Sequence, residues 1–445
     1  MKWRDTIMNV AHKAALAAAS VAFAAFQFGP LAHAQRPTTQ QTEQRLQPAG
    51  ETDENDEFGS AVAISGDRMV IGGQGAAGIG FDTGAAYIFE RSGNTWVQTA
   101  KLFASDGHIV KRDPITGEPV PGDHADEFGT GVAISGDTVA IGAPGRTVPG
   151  TTNNNGTVYV FQLINGAWVQ QAELTAPIPT PGGNFGNFQT LGISGDTLVV
   201  GDPGNSQTVP AAIQVFTRKH GTWTFTSSLT VPDDLSFLPD SVAIDGHTLV
   251  VGSTSSDAPL ASFAGAVYVF RFLEAQGTWV QEARLTAADA TFFGQFGFSV
   301  SVDDNLIAVG ANNGLNGAGA AYVFARKDGF WSQEAKLTAS DGANFDAFGQ
   351  SVSVSAARLL VGASGHVTPA GDPFGAAYVY MRREGEWSQI AEVMPSDAIG
   401  GGFFGDSVAI QDNTLLIGAS NQHPAVEGYP GGESYVYRLI PGAGN

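Results

Sequence analysis

A Phe-Gly pair recurs along this chain of 445 residues and shows that the sequence is built from repeated units. An aliphatic residue follows each Phe at the sixth position. The pairs are Phe58-Gly59, Phe128-Gly129, Phe296-Gly297, Phe348-Gly349 and Phe404-Gly405. Two further copies, at 192–196 and 242–246, keep the later part of the unit and lack the pair, which makes seven copies. The average step from Phe58 to Phe404 is about 58 residues, the size of a four-stranded propeller blade with long loops.

Each unit contains four stretches with the composition of β-strands. In the second copy they cover residues 130–135, 139–141, 156–161 and 168–174. β-Branched and aromatic residues bounded by Gly, Asn and Asp favour strands joined by tight turns, here Gly136-Asp137 and Asn165-Gly166. Helical periodicity is not found after the N-terminal segment. We therefore predict an all-β chain that forms a seven-bladed β-propeller with four antiparallel strands per blade.

The two ends of the chain are predicted to complete one blade together. The seventh unit stops after the strand at 432–437 and lacks the Trp-containing fourth strand of the other units. Residues 40–46 have the spacing of that strand. Closing the ring in this way removes the open edges of a linear array. We expect a propeller over residues 35–440, completed by the N-terminal strand and followed by a short tail at 441–445.

The first 34 residues are predicted to be a signal peptide. Lys2, Arg4 and Lys13 form a basic start, an apolar run covers 14–26, and Ala-His-Ala at 32–34 is a cleavage site. The run is shorter than the roughly 20 apolar residues that a membrane-spanning helix needs. We expect cleavage near Ala34, a secreted or periplasmic product, and no membrane span.

Composition excludes several classes of function. The chain has no cysteine, so disulfide scaffolds, cysteine–zinc sites and thiol nucleophiles are excluded. Its 43 acidic and 22 basic residues give a net charge of −21, which disfavours nucleic acid as a partner. The G-x-G-x-x-G string at 73–78 precedes a strand instead of the helix that dinucleotide binding needs. The sequence indicates no catalytic residues.

The repeated motifs resemble a known family. The Phe-Gly pair, the Gly-Ala-Pro sequence at 142–144, the Gly-Ala-Ala-Tyr-Val-Phe strand at 319–324 and the Trp strand are similar to the FG-GAP repeat of integrin α-subunits and many secreted bacterial proteins. The resemblance covers nearly all of residues 38–440. It implies a seven-bladed propeller that serves as an extracellular binding or adhesion module. The third and fourth copies depart from the pattern in both motifs.

The calcium sites of integrin-type blades are not expected here. Such sites lie in aspartate-rich loops between the first two strands, and calcium needs six to eight oxygen ligands. At that position this chain has short Gly- and Asp-containing turns such as Ser65-Gly66-Asp67. We interpret these turns as structural and predict no metal site and no cofactor, with Ca²⁺ an open possibility elsewhere.

The long loops indicate where a ligand binds. Loops between the second and third strands and between blades are long and variable, and both kinds lie at the same end of a propeller. The longest insertion lies between the first two blades and is rich in acids, which suit a basic partner or a cation. The candidate binding residues are Asp113, Glu118, Asp123, His124, Asp126, Glu127 and Arg146.

Three functions remain open. The preferred one is a secreted, non-enzymatic binding or adhesion propeller whose long-loop face takes an extracellular or cell-surface protein or glycan. The second is an exported hydrolase or lyase acting on a polysaccharide, with convergent acids at the central opening. The third is a structural surface component without a discrete ligand. The tryptophan and tyrosine of each blade are predicted to pack within the blades instead of binding sugars. Oligomeric state is not predicted.

Overall fold

The computed structural model describes residues 41–49, 56–78, 83–108, 125–151, 154–204, 208–231, 234, 236–259, 261–312, 317–367, 374–396, 402–420 and 431–440. The predicted signal peptide and the tail at 441–445 lie outside these ranges. The described residues form 28 strands and no helix. The strands group into seven sheets of four, which confirms the all-β propeller.

The first four blades in chain order cover residues 58–285. Blade 1 comprises β2 (Phe58–Ser65), β3 (Arg68–Gly73), β4 (Ala85–Ser92) and β5 (Thr95–Leu102). Blade 2 comprises β6 (Val132–Ser135), β7 (Thr138–Ala143), β8 (Thr157–Ile164) and β9 (Ala167–Leu174). Blade 3 comprises β10 (Leu191–Ser194), β11 (Thr197–Asp202), β12 (Ala212–Lys219) and β13 (Thr222–Leu229). Blade 4 comprises β14 (Ser241–Asp245), β15 (Thr248–Ser253), β16 (Ala266–Leu273) and β17 (Thr278–Leu285).

Three more blades complete the set. Blade 5 comprises β18 (Ser299–Asp303), β19 (Leu306–Ala311), β20 (Ala320–Lys327) and β21 (Phe330–Leu337). Blade 6 comprises β22 (Phe348–Ser355), β23 (Arg358–Ala363), β24 (Ala376–Arg383) and β25 (Glu386–Val393). Blade 7 comprises β26 (Phe404–Gln411), β27 (Thr414–Ala419), β28 (Glu433–Leu439) and β1 (Gln41–Leu46). In every blade the first strand in this order is innermost and contacts the first strand of the next blade.

The N-terminal strand closes the ring. β1 pairs antiparallel with β28, from Gln41 opposite Leu439 to Leu46 opposite Ser434. The innermost strand of blade 7, β26, contacts β2 of blade 1. The predicted strand at 40–46 and its place in the last blade are therefore confirmed.

The hydrophobic core lies between blades. Each of the seven core clusters contains residues from two adjacent blades. The Phe of each of the five Phe-Gly pairs named above packs against two aromatic rings of the third strand; Phe58, for example, lies 5.2 Å from the Tyr87 ring and 6.1 Å from the Phe89 ring. The following glycine is required because a Cβ on Gly129, at φ +102°, would lie 2.4 Å from the Ala85 carbonyl oxygen.

The tryptophans of the fourth strands also pack against their neighbours, as the sequence predicted. Trp96 and Trp223 are buried. The Trp387 indole donates a hydrogen bond to Glu334 of blade 5 over 2.7 Å, and the Trp331 indole donates one to Glu282 of blade 4 over 3.2 Å. These residues therefore connect the outer strands of adjacent blades.

The prediction that the third copy lacks a Phe-Gly pair is wrong. Phe185-Gly186 is the pair of the third copy. Phe185 forms a parallel β-bridge with Gly156 of the preceding blade, as Phe128 of the second copy does with Gly84. Two extra residues before β10 displace the pair from the spacing of the other copies. In blade 4, Phe237 packs on Tyr268 at 5.3 Å, but Leu238 replaces the glycine. The fourth copy therefore keeps only the aromatic half of the pair.

The two ends of the propeller differ. In all seven blades the first and second strands are joined by two residues, such as Gly66-Asp67. The connections between the second and third strands and between blades are longer; Gln74 to Gly84, for example, join β3 to β4. We call the end with these longer connections the long-loop face and the opposite end the short-turn face.

Candidate functional site

Four of the seven predicted binding residues lie outside the described residues: Asp113, Glu118, Asp123 and His124. Their role stays a prediction. The structure describes the other three, and it brings Asp126 and Arg146 together. Glu127 is exposed beside them at φ 56°, and its backbone carbonyl accepts a hydrogen bond from the Thr130 hydroxyl over 2.7 Å.

Asp126 and Arg146 form an internal ion pair between blades 1 and 2. Asp126 is 1% exposed and Arg146 is 9% exposed. Arg146 Nη1 lies 3.2 Å from Asp126 Oδ2, and Nη2 lies 2.7 Å from Oδ2 of Asp106. The backbone N–H of His108 donates to Asp126 Oδ2 over 2.6 Å. Both side chains are therefore engaged within the protein instead of projecting from the long-loop face.

Burial determines the electrostatics of this ion pair. It raises the pKa of Asp126, although the His108 N–H and the Arg146 charge favour the carboxylate. It also raises the pKa of the nearby Glu173 carboxyl, and the Asp106 charge adds to that effect. The guanidinium of Arg146 is thus the positive charge that stabilises three carboxylates at this junction.

A tyrosine–aspartate hydrogen bond recurs at several blade junctions. The tyrosine lies in the third strand of one blade, and the aspartate lies in the loop that leaves the preceding blade. The described pairs are Tyr159 with Asp106 at 3.1 Å, Tyr268 with Asp234, Tyr322 with Asp289 at 2.9 Å, and Tyr378 with Asp341 at 3.0 Å. Sequence reasoning placed these tyrosines within the blades but missed the aspartates. In the sequence, each of these aspartates lies four or five residues after the Leu that ends the fourth strand.

The long-loop face carries exposed phenylalanines that sequence reasoning also missed. They lie in connections between blades or between second and third strands. They are Phe103, Phe263, Phe292, Phe293, Phe345 and Phe403, each at least 40% exposed. Phe292 and Phe293 lie 4.2 Å apart, and Phe293 stacks on Phe263 at 5.6 Å. In the sequence, Phe293 and Phe345 lie three residues before the Phe of a Phe-Gly pair, and Phe403 lies directly before one.

The backbone conformation of these aromatic residues is unfavourable. Phe263, Phe293, Phe345 and Phe403 have φ values of 51°, 55°, 74° and 51°. For a bulky side chain this left-handed region costs about 1–2 kcal/mol. At Phe403 this conformation belongs to the repeat itself, because the residue directly before the Phe of a Phe-Gly pair also has a positive φ, between 48° and 56°, at Glu57, Glu127, Asn184, Gln295 and Ala347.

A protein-family model for the FG-GAP repeat matches residues 42–89, 120–161, 279–324, 331–380 and 387–437, which together make up more than half of the chain. The chain belongs to the FG-GAP repeat family. No curated protein matches this FG-GAP repeat protein. The unmatched interval from 162 to 278 contains all of blade 3 and most of blade 4. The same interval contains the displaced Phe185-Gly186 pair and Leu238, which replaces the glycine of the pair.

FG-GAP repeats are typical of extracellular proteins, and their propeller fold suggests a binding or adhesion domain. The described part of the chain contains no helix of the length and apolar character needed to cross a membrane.

The central opening of the FG-GAP propeller is small. It has a volume of about 110 Å³ and is lined mainly by Val and Ser side chains of the innermost strands. Phe188 and Gln189, from the extra residues of blade 3, also line it, and Gln189 Nε2 donates to the Gln350 carbonyl of blade 6 over 3.2 Å. The described lining residues include none of the acids that the hydrolase alternative requires.

One group of metal-ligating side chains occurs among the described residues of this FG-GAP protein. It consists of Asp341, His366 and Glu392, at the junction of blades 5 and 6. One ligand atom of each lies within 4.8 Å of the others.

Proposed function

We propose that this FG-GAP repeat protein is a secreted, non-enzymatic adhesion-type module that binds a protein ligand through its long-loop face. The observation that carries the proposal is the set of exposed phenylalanines on that face. Two observations support secretion: the signal peptide predicted for residues 1–34, and the extracellular location that is typical of proteins with FG-GAP repeats.

Exposed aromatic clusters are unfavourable in water and favourable in an interface. The rings of Phe263, Phe292 and Phe293 contact one another yet stay largely accessible. Burial against a partner gains about 25 cal/mol for each Å² of apolar surface removed from water. Phenylalanine is enriched in protein interfaces, and contiguous apolar patches mark sites of interaction.

The chemistry of the cluster favours a protein over a glycan. A sugar ring stacks on one aromatic face while its hydroxyl groups need polar partners close by. Tyrosine and tryptophan supply such groups, whereas phenylalanine supplies none. The cluster is built only from phenylalanine, so it suits an apolar side chain or loop of a protein partner.

Affinity capture with the mature chain tests the proposal. The bait is compared with the double variant Phe292→Ala/Phe345→Ala, which removes the two most exposed rings of the long-loop face, 64% and 65% exposed. The control is Phe330→Ala, because Phe330 is 78% exposed but begins β21 beside the short-turn face. Culture supernatant and cell-envelope extracts provide the ligands, and affinities of captured species are then measured by titration.

We expect the double variant to bind about tenfold or more weakly and the control to bind as the wild type does. Equal binding by all three proteins would refute the long-loop face as the site. Capture that survives protease treatment of the extract but not periodate oxidation would identify a glycan instead of a protein. Absence of any captured species would favour the structural-component alternative.

A further inference from the structure

Five polar side chains meet at the junction of blades 5 and 6. His366, whose side chain is 8% exposed, has its Nδ1 atom 3.0 Å from Asp346 Oδ2 and 3.4 Å from the Tyr378 hydroxyl. Tyr378 donates to Asp341 Oδ1 over 3.0 Å. Glu392 lies opposite Tyr378 on the neighbouring strand β25. The junction therefore gathers three carboxylates around one buried imidazole.

The junction of blades 1 and 2 has the same backbone arrangement around Arg146. The N–H of Arg146 donates to Ala143 over 3.1 Å, and that of His366 donates to Ala363 over 3.1 Å. The carbonyl of Arg146 accepts from Gly156, and that of His366 accepts from Gly375, each over 2.9 Å. Arg146 and His366 therefore occupy equivalent positions in their blades.

The side chains around these two positions also correspond. Each set has an aspartate bonded to the tyrosine, an aspartate two residues before the Phe-Gly pair, and a glutamate opposite the tyrosine. The sets are Asp106, Asp126, Tyr159 and Glu173 in blade 2, and Asp341, Asp346, Tyr378 and Glu392 in blade 6. In blade 2 the guanidinium of Arg146 lies among the carboxylates. In blade 6 the equivalent residue is a histidine.

Other junctions carry their positive charge on the fourth strand. The residue opposite the tyrosine is Lys101, Arg284, Lys336 or Arg45 in blades 1, 4, 5 and 7. Lys336 pairs with Asp289, and Arg284 lies 3.4 Å from Asp234. Among the described residues, the tyrosine junction of blade 6 has neither a Lys nor an Arg at either position.

We propose that the junction of blades 5 and 6 binds one divalent metal ion of the Zn²⁺ type through Asp341, His366 and Glu392. The ion supplies the positive charge that Arg146 supplies in blade 2. Asp346 contacts the His366 ring and fixes its orientation, as carboxylates beside metal-binding histidines do. A set of imidazole nitrogen and carboxylate oxygens suits Zn²⁺, whereas Ca²⁺ takes oxygen ligands. The ion connects the loop leaving blade 5 to a loop and a strand of blade 6.

The site is tested with the untagged mature chain after dialysis against a chelator. We expect calorimetric titration with ZnCl₂ to show one site per chain and saturating zinc to raise the Tm by about 5 °C. CaCl₂ at the same concentration is expected to produce neither effect. Metal analysis of the dialysed, zinc-loaded protein checks the stoichiometry independently.

Two matched variants distinguish this site from other histidines. His366→Arg recreates the residue set of blade 2, so we expect it to fold, to be as stable as the zinc-loaded wild type, and to lose zinc binding. Arg146→His recreates the residue set of blade 6, so we expect a second zinc ion per chain. Zinc binding retained by His366→Arg would overturn the proposal. A wild-type Tm that does not rise with saturating zinc would overturn it as well.

Discussion

At the scale of single residues, the surroundings of a side chain decide its chemistry more than its type does. Arg146 begins a polar loop in the sequence and was expected to bind a ligand, yet it is enclosed between Asp126 and Asp106. His366 has the same backbone position and similar carboxylate neighbours. Whether such a residue faces solvent depends on a loop from the preceding blade, and a local pattern does not contain that information.

Asp406 in blade 7 gives a prediction about pH. Its carboxylate accepts hydrogen bonds from the Ser420 hydroxyl and from the backbone N–H of Ser407, but burial raises its pKa to about 7. Because this value lies above the ordinary 3.8, the folded protein binds the proton more tightly than the unfolded chain does. The free energy of unfolding therefore falls as pH rises from about 4 to 7, and the full penalty is present above pH 7.

We expect Asp406→Asn to remove this pH dependence. Between pH 5 and 8 the wild type should lose roughly 1–3 kcal/mol of stability relative to the variant. Denaturant unfolding at each pH measures the difference. Asp328→Asn, at an exposed turn, is the control and should follow the wild type. Parallel curves for wild type and Asp406→Asn would show that Asp406 does not titrate in this range.

At the scale of elements, the short turns form a belt around the propeller. Each turn between first and second strands donates a backbone N–H to a side chain of the preceding blade. Gly136 donates to Ser65, Gly195 to Ser135 and Gly246 to Ser194, each over 3.0 Å. The Ser-Gly-Asp motif predicts the turn correctly because Gly and Asp tolerate positive φ. It does not predict the acceptor role of the serine, because the donor lies in the next blade.

Removing one acceptor tests the belt. Ser135→Ala leaves the Gly195 N–H without its protein acceptor, so we expect a loss of about 0.5–1 kcal/mol and a fall in Tm of about 1 °C. Ser92→Ala is the control because Ser92 is exposed at a turn and contributes only its backbone carbonyl to Thr95. Thermal unfolding measures both variants. Equal Tm values would show that the Ser135 hydrogen bond to the next blade contributes no stability.

At the scale of the whole molecule, β1 holds the ring closed through side chains as well as strand pairing. Gln44 exchanges two hydrogen bonds with the Trp96 backbone of blade 1, at 2.7 and 2.8 Å. Glu43 accepts a hydrogen bond from the Ser396 hydroxyl, which follows blade 6, over 2.7 Å. Leu46 is 2% exposed. The N-terminal strand therefore contacts three consecutive blades.

Deleting residues 35–50 removes this strand and exposes the edge of β28. We expect a loss of about 3 kcal/mol or more, a fall in Tm of about 4 °C or more, and self-association through the open edge. Thermal unfolding and light scattering measure the two effects. Deleting residues 441–445 is the control and should change neither. An unchanged Tm in the first deletion would mean that closure contributes no stability.

The repeat spacing was enough to predict seven blades, four strands in each, the tight turns and the closing strand, because strand propensity and turn chemistry act between residues close in sequence. The displaced Phe185-Gly186 pair, the burial of Asp126 and Arg146, the tyrosine–aspartate bonds and the exposed phenylalanines appeared only in the tertiary structure. Each depends on how one blade meets the next. Partners at such a junction, such as Asp106 and Tyr159, are brought together by packing alone.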